Sequence, residues 1–163
     1  HAAAMLKQDG IPFYLVIIGQ GLMKNQIETQ IKTLNLSDDV RLLSNLSEKT
    51  LADYYRASDA FVMPTQAAEA FGLATIEAIS AGLVALGTNN GGTSEILERY
   101  RSDWVIPGCD ETSIYQKMKD YCENPDNFSL PLETTQDVTR THYSWPQVAK
   151  TFLEGCQLTE KIQ

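Results

Sequence analysis

The chain has 163 residues, of which 43% are hydrophobic and 21% charged, and a formal charge of −8. That size supports one domain with a full hydrophobic core, and the composition is that of an ordinary globular protein. The acidic balance argues against nucleic acid and anionic lipid as partners, and no apolar run reaches the length of a membrane span.

Three widely spaced cysteines, Cys109, Cys122 and Cys156, form no zinc or redox spacing and suit a reducing compartment. The opening HAAAMLKQDG is no signal peptide, so a cytoplasmic location is expected.

Residues 1–9 read as the end of a helix stopped by Asp9-Gly10. A domain that opens on the tail of a helix implies a segment missing upstream. Phe13 to Ile18 is a continuous apolar run, the mark of a strand buried on both faces. Gly19-Gln20-Gly21 then turns into a helix from Leu22 to Leu34, with Ile27, Ile31 and Leu34 on one face. A dinucleotide fingerprint would need its third glycine at Lys24, so this Gly-x-Gly reads as a tight turn.

Val40 to Leu43 predicts a short strand, Ser47 to Ala57 a helix with Ser47 as N-cap, and Asp59 to Met63 the next strand. Tyr54 and Tyr55 read as packing residues. The stretch from Pro64 to Gly82, PTQAAEAFGLATIEAISAG, follows: a polar turn, Phe71-Gly72, then a helix whose one charge is Glu77.

Glu69 lies in the turn, eight residues before Glu77. With Gly72 near the first helical position, the free N–H groups of Phe71, Gly72 and Leu73 offer a seat for an anion. Two carboxylates accept hydroxyls beside it. A nucleotide-sugar, a diphosphate between two polyols, has those groups.

Leu83 to Gly87 is another buried strand. Asn89-Asn90-Gly91-Gly92 is a flexible loop leading to a short helix through Glu95 to Leu97. Open α/β sheets bind ligands at their carboxyl edge, where Gly91 and Gly92 let a backbone come close to sugar or phosphate. Trp104 to Ile106 is a last strand and Glu111 to Tyr121 an amphipathic helix. Glu123 to Asp137 reads as a looser connection, and Ser144-Trp145-Pro146-Gln147 as a capping box for a final helix to about Leu158. His142 reads as a surface or cap residue. The alternation predicts an α/β layered domain with a mostly parallel sheet of five strands.

Glu69-Ala-Phe-Gly-Leu-Ala-Thr-Ile-Glu77 resembles the Glu-x7-Glu signature of the retaining glycosyltransferases of family 4, which have the two-domain GT-B fold. Val40-Arg-Leu-Leu, Tyr54-Tyr-Arg-Ala-Ser-Asp59, Gly91-Gly-Thr-Ser-Glu95 and Tyr143-Ser-Trp145 resemble the pieces that accompany it, in the same order. Two positions depart from the family pattern: Leu22 stands where a Pro follows Gly-x-Gly, and Val84 where a strand usually carries Pro.

The resemblance implies a Rossmann-like C-terminal, donor-binding half of a GT-B fold, with the N-terminal acceptor domain and a first strand absent. It implies a nucleoside-diphosphate sugar as donor, transfer with retention, and no metal or other cofactor. Carried over, Glu77 holds ribose hydroxyls and Glu69 those of the sugar beside the reacting carbon. The amides of Phe71, Gly72 and Leu73 meet sugar and diphosphate, and Leu43 and Ser44 meet the base. The Arg and Lys that hold the diphosphate in the family have no counterpart, because they would lie upstream of His1. The last helix, with Val148, Phe152 and Leu153, crosses to the first domain.

Three alternatives stand beside this reading. A glycoside hydrolase would need Glu69 and Glu77 facing each other across one bond. A nucleotide-sugar epimerase or phosphorylase would share the fold, and a non-catalytic nucleotide-binding module would keep it without chemistry.

Overall fold

The computed structural model describes residues 1–67 and 69–160, without the side chains of 157–160. Ala68, in the turn before the signature, and the end of the final helix at Leu158 thus fall outside what is described in full.

Five short strands carry the fold: β1 (Leu15–Ile18), β2 (Val40–Leu43), β3 (Ala60–Met63), β4 (Val84–Thr88) and β5 (Val105–Ile106). Among the described residues eight α-helices surround them: α1 (Ala2–Gln8), α2 (Lys24–Thr33), α3 (Glu48–Ala57), α4 (Leu73–Ser80), α5 (Gly92–Tyr100), α6 (Glu111–Glu123), α7 (Leu132–Tyr143) and α8 (Trp145–Glu160). Every strand pair is parallel, as expected of strands joined through helices.

The strands do not form the one sheet expected. They divide into a pair, β1-β2, and a trio, β3-β4-β5, with no ladder between them, so β1 and β3 each keep an unpaired edge among the described residues. Burial follows the pairing. β4, flanked on both sides, is buried along its whole length, whereas every residue of β3 is only half-buried. Helices α2 and α3 bury no residue fully.

The core therefore sits around β4, where Ile79, Leu86, Leu97, Trp104 and Ile106 are all at most 1% exposed. Burying each such aliphatic side chain contributes about 1.5–3 kcal/mol. Trp104 adds a buried hydrogen bond from its Nε1 to the carbonyl of Phe128 at 2.9 Å and stacks on Tyr100. A smaller cluster of Ala3, Leu36 and Val40 serves the β1-β2 side.

Helix ends follow local chemistry. The Ser47 hydroxyl accepts from the amide of Thr50 at 3.2 Å, the expected cap of α3. After α1, Gly10 takes φ +69°, with amide bonds Gly10 to Lys7 and Ile11 to Leu6. Asn35 (φ +56°) and Gly82 (φ +94°) close α2 and α4 by the same paired bonds, the Schellman arrangement. Asp9, at the end of α1, is bound by Lys119 Nζ at 2.6 Å and by the Tyr115 hydroxyl, both on α6. This tie fastens the element leading into β1 to the one that follows β5.

Two expected boundaries change by more than two residues. The loop through Asn89 to Gly92 is shorter than predicted, because α5 starts at Gly92 and runs to Tyr100. Much of the predicted loose connection is α7, started just after Pro131. Its inward face is carried by Thr135, Thr139 and Tyr143, with Val138 half-buried and Leu132 exposed, so apolar periodicity hardly registers it.

Candidate functional site

The carboxyl end of β3 delivers the signature turn, and the carboxyl end of β4 delivers the loop that holds it. The fully buried Thr88 donates from its hydroxyl to the carbonyl of Thr65 at 2.6 Å. Asn90 donates from Nδ2 to the carbonyl of Gln66 at 2.9 Å, and the amide of Gly92 to the carbonyl of Glu69 at 2.8 Å.

Two glycines permit that approach. A Cβ on Gly91 would lie 2.4 Å from the Glu69 carbonyl oxygen, and one on Gly92 would lie 2.8 Å from the Phe71 backbone. The backbone that comes close to Gly91 and Gly92 is thus the chain's own signature turn.

Glu69 is half-buried, and its Oε2 accepts from the hydroxyl of Thr93 at 2.6 Å. Glu77 points outward from α4, which buries Thr75, Ile76, Ala78 and Ile79 and leaves the acid exposed. Its Oε2 accepts from the hydroxyl of Tyr55 on α3 at 3.3 Å. Burial first, and then the nearby Glu77 charge, push the Tyr55 phenol up to about 12. Among the described residues neither acid forms an ion pair. Each carboxylate is held by a hydroxyl through one oxygen, and among the described residues nothing binds its Oε1.

Between the two acids lies the tip of α4. Gly72 caps it in the left-handed region at φ +84°, its carbonyl accepting from Thr75 and Ile76. The amides of Phe71, Gly72 and Leu73 donate to no other described residue. Phe71 and Leu73 are exposed, and Phe71 meets the ring of Tyr143 edge-on, centroids 6.4 Å apart.

Leu43 and Ser44 end β2 in the other sheet, where the Leu43 carbonyl accepts from Gly19. No hydrogen bond joins them to residues 69–77. The structure thus gathers Glu69, Phe71 and Gly72 with Gly91 and Gly92, sets Glu77 on the same helix, and leaves Leu43 and Ser44 apart. A shallow hollow of about 580 Å³ along α2 and a small one of about 100 Å³ beneath the amino ends of β3 and β4 involve none of these residues.

Thr93 and Tyr55 are the site residues that sequence reasoning missed. Thr93 had a signal, its place directly after Gly91-Gly92. Tyr55 packs edge-on against Phe61 as expected, 6.0 Å between centroids, yet its hydroxyl reaches an acid 22 residues away. Only the fold makes that contact.

Residues 1–140 match the family model described as Glycosyl transferases group 1. The amylovoran biosynthesis glycosyltransferase AmsK of Erwinia amylovora is 30% identical over 119 residues, 70% of this chain and 29% of that protein. The chain thus spans less than a third of that relative's length. Two solved structures share the fold. One is Anabaena HepE in complex with UDP and glucose (TM-score 0.77, 16% identity, 96% of this chain and 43% of that one). The other is the C-terminal domain of the group 1 glycosyl transferase LpcC of Francisella tularensis (TM-score 0.74, 20% identity, 88% and 76%). By the match over residues 1–140 the chain belongs to the group 1 glycosyl transferases, and with its parallel strands it has the Rossmann-like fold of a GT-B half.

Proposed function

We propose that this chain is the donor-binding half of a retaining glycosyltransferase that takes a sugar from a nucleoside-diphosphate sugar. The observation that carries the reading is the tip of α4. Three amides without partners among the described residues lie between Glu69 and Glu77, each acid with one oxygen that no described residue binds.

In this reading Glu77 accepts the ribose hydroxyls and Glu69 those of the transferred sugar. The amides of Phe71, Gly72 and Leu73 meet sugar and diphosphate, with Gly91 and Gly92 beside them and Leu43 and Ser44 at the base. As the sugar–phosphate bond breaks, negative charge grows on the leaving diphosphate. Fixed N–H donors at a helix tip stabilise such charge without reorganising. The leaving group stays on the acceptor's face, which gives retention, and the step draws on no metal.

The acceptor domain belongs to a part of the protein outside this chain. The unpaired edges of β1 and β3 are the place for a further parallel strand between the two sheets, and the exposed Trp145, Phe152 and Leu153 of α8 are the side that meets the other domain.

Ligand-detected NMR with UDP, GDP, ADP and NAD tests this. One nucleoside diphosphate should bind weakly, with Kd on the order of millimolar, and Glu77→Ala should abolish it. Equal binding by the variant would refute the donor site and favour a non-catalytic module. Sugar transfer by these 163 residues alone would overturn the half-enzyme reading.

A further inference from the structure

We infer that Thr93 is a positioning residue that fixes the carboxylate of Glu69 for the transferred sugar, an inference that rests on the role proposed above for Glu69. Thr93 is fully buried on the first turn of α5. Its hydroxyl has one proton to give, and that proton goes to Glu69 Oε2 at 2.6 Å.

The direction of the hydroxyl is set by two glycines. A Cβ on Gly87 would stand 2.6 Å from the Thr93 γ-methyl, so the methyl occupies the space that this glycine leaves on β4. A Cβ on Gly72 would stand 3.1 Å from the Thr93 hydroxyl, so the oxygen lies over the cap of α4. A β-branched side chain is stiff at χ1, and here both branches are seated. With the methyl on Gly87, the oxygen is held toward Glu69.

Gly92 and Thr93 therefore hold Glu69 twice. Gly92 binds its backbone carbonyl at 2.8 Å, and Thr93 binds its side chain. An unheld glutamate in a turn explores several rotamers, whereas this one presents Oε1 from a fixed geometry. That is the oxygen left for a sugar hydroxyl. The effect is on the sugar, because the nucleotide is held by other groups.

The test uses the full-length protein and measures Kd for UDP, GDP and ADP, Kd for UDP-glucose, GDP-mannose and ADP-glucose, and turnover of whichever sugar donor is used. Thr93→Val keeps the methyl in the Gly87 space and removes the proton. It should leave nucleoside-diphosphate affinity within about twofold of wild type and lower turnover about 10- to 100-fold, the scale of a misplaced catalytic group. Thr93→Ser should recover part of the loss, because the hydroxyl returns without the γ-methyl seated on Gly87. Thr93→Val combined with Glu69→Gln should be no slower than Glu69→Gln alone, because both act through one contact.

Wild-type turnover in Thr93→Val overturns the inference, as does an equal loss of nucleoside-diphosphate affinity, which marks a general structural effect. If Glu69→Gln slows transfer and Thr93→Val does not, positioning is refuted and the role of Glu69 stands. If Glu69→Gln is itself without effect, that role fails first. Should Thr93→Val not fold, Thr93→Ala, which removes the hydroxyl together with the methyl, breaks the bond to Glu69 Oε2 and carries the same expected outcomes.

Discussion

Replacing Gly91 with alanine tests how the signature turn is held. Gly91 has φ +62° and ψ −147°, a region essentially confined to glycine. Forcing an L side chain into such backbone costs about 1–3 kcal/mol. The added Cβ would also lie 2.4 Å from the Glu69 carbonyl oxygen and 2.8 Å from its nitrogen. Both are backbone atoms, so no flexible side chain can swing away, and overpacking of this kind adds about 1–3 kcal/mol. The sum, about 2–6 kcal/mol, is a large share of the roughly 5–15 kcal/mol that holds a domain folded. At about 2 kcal/mol per molar urea, the unfolding midpoint should fall by about 1–3 M.

Gly21→Ala is the control, since a Cβ there meets nothing within 4 Å. It should stay within about 0.5 kcal/mol of wild type. Urea titration followed by circular dichroism gives both values. A Gly91→Ala midpoint within error of wild type, with the same slope, would refute the claim that the turn is packed immovably against this loop.

Spectrophotometric titration of tyrosinate should show Tyr55 as the latest phenol, beyond Tyr100, Tyr115 and Tyr121, which burial or an acid neighbour also pushes up. The folded chain holds Tyr55 at about 12 against 10.0 for an ordinary phenol, so it favours the protonated form. The associated stability is complete below the unfolded value near 10 and declines as pH rises through about 12. Tyr55→Phe should remove the late component, and its persistence would show that another tyrosine carries it. Trp104→Phe should lower stability by about 1–3 kcal/mol from the stranded Phe128 carbonyl alone, read as thermal midpoint, and an unchanged midpoint would contradict the buried bond. Phe152→Asp, at a position 70% exposed, should leave the stability of this chain within about 0.5 kcal/mol. A larger drop would mean that α8 packs more deeply than the structure shows.

The layered fold was legible because its strands are continuous apolar runs punctuated by Gly, Asn and Asp, and such signals are local. Ser47 capping α3 and Gly10 closing α1 follow from single side chains and backbone freedom. The signature acids were likewise visible, as a turn glutamate and a lone charge on an apolar helix. What escaped the sequence rests on contacts between distant segments. α7 went unseen because two threonines and a tyrosine, with Val138 as the half-buried aliphatic residue, form its inward face. The division into two sheets depends on what pairs with the edges of β1 and β3, and an apolar strand reads the same with one neighbour or two.

The bonds from Thr93 to Glu69 and from Tyr55 to Glu77 join residues 24 and 22 positions apart. A local pattern names the acids, but the rotamer and burial of each hydroxyl partner are decided only when the fold brings Tyr55 of α3 to α4 and packs α5 against α4.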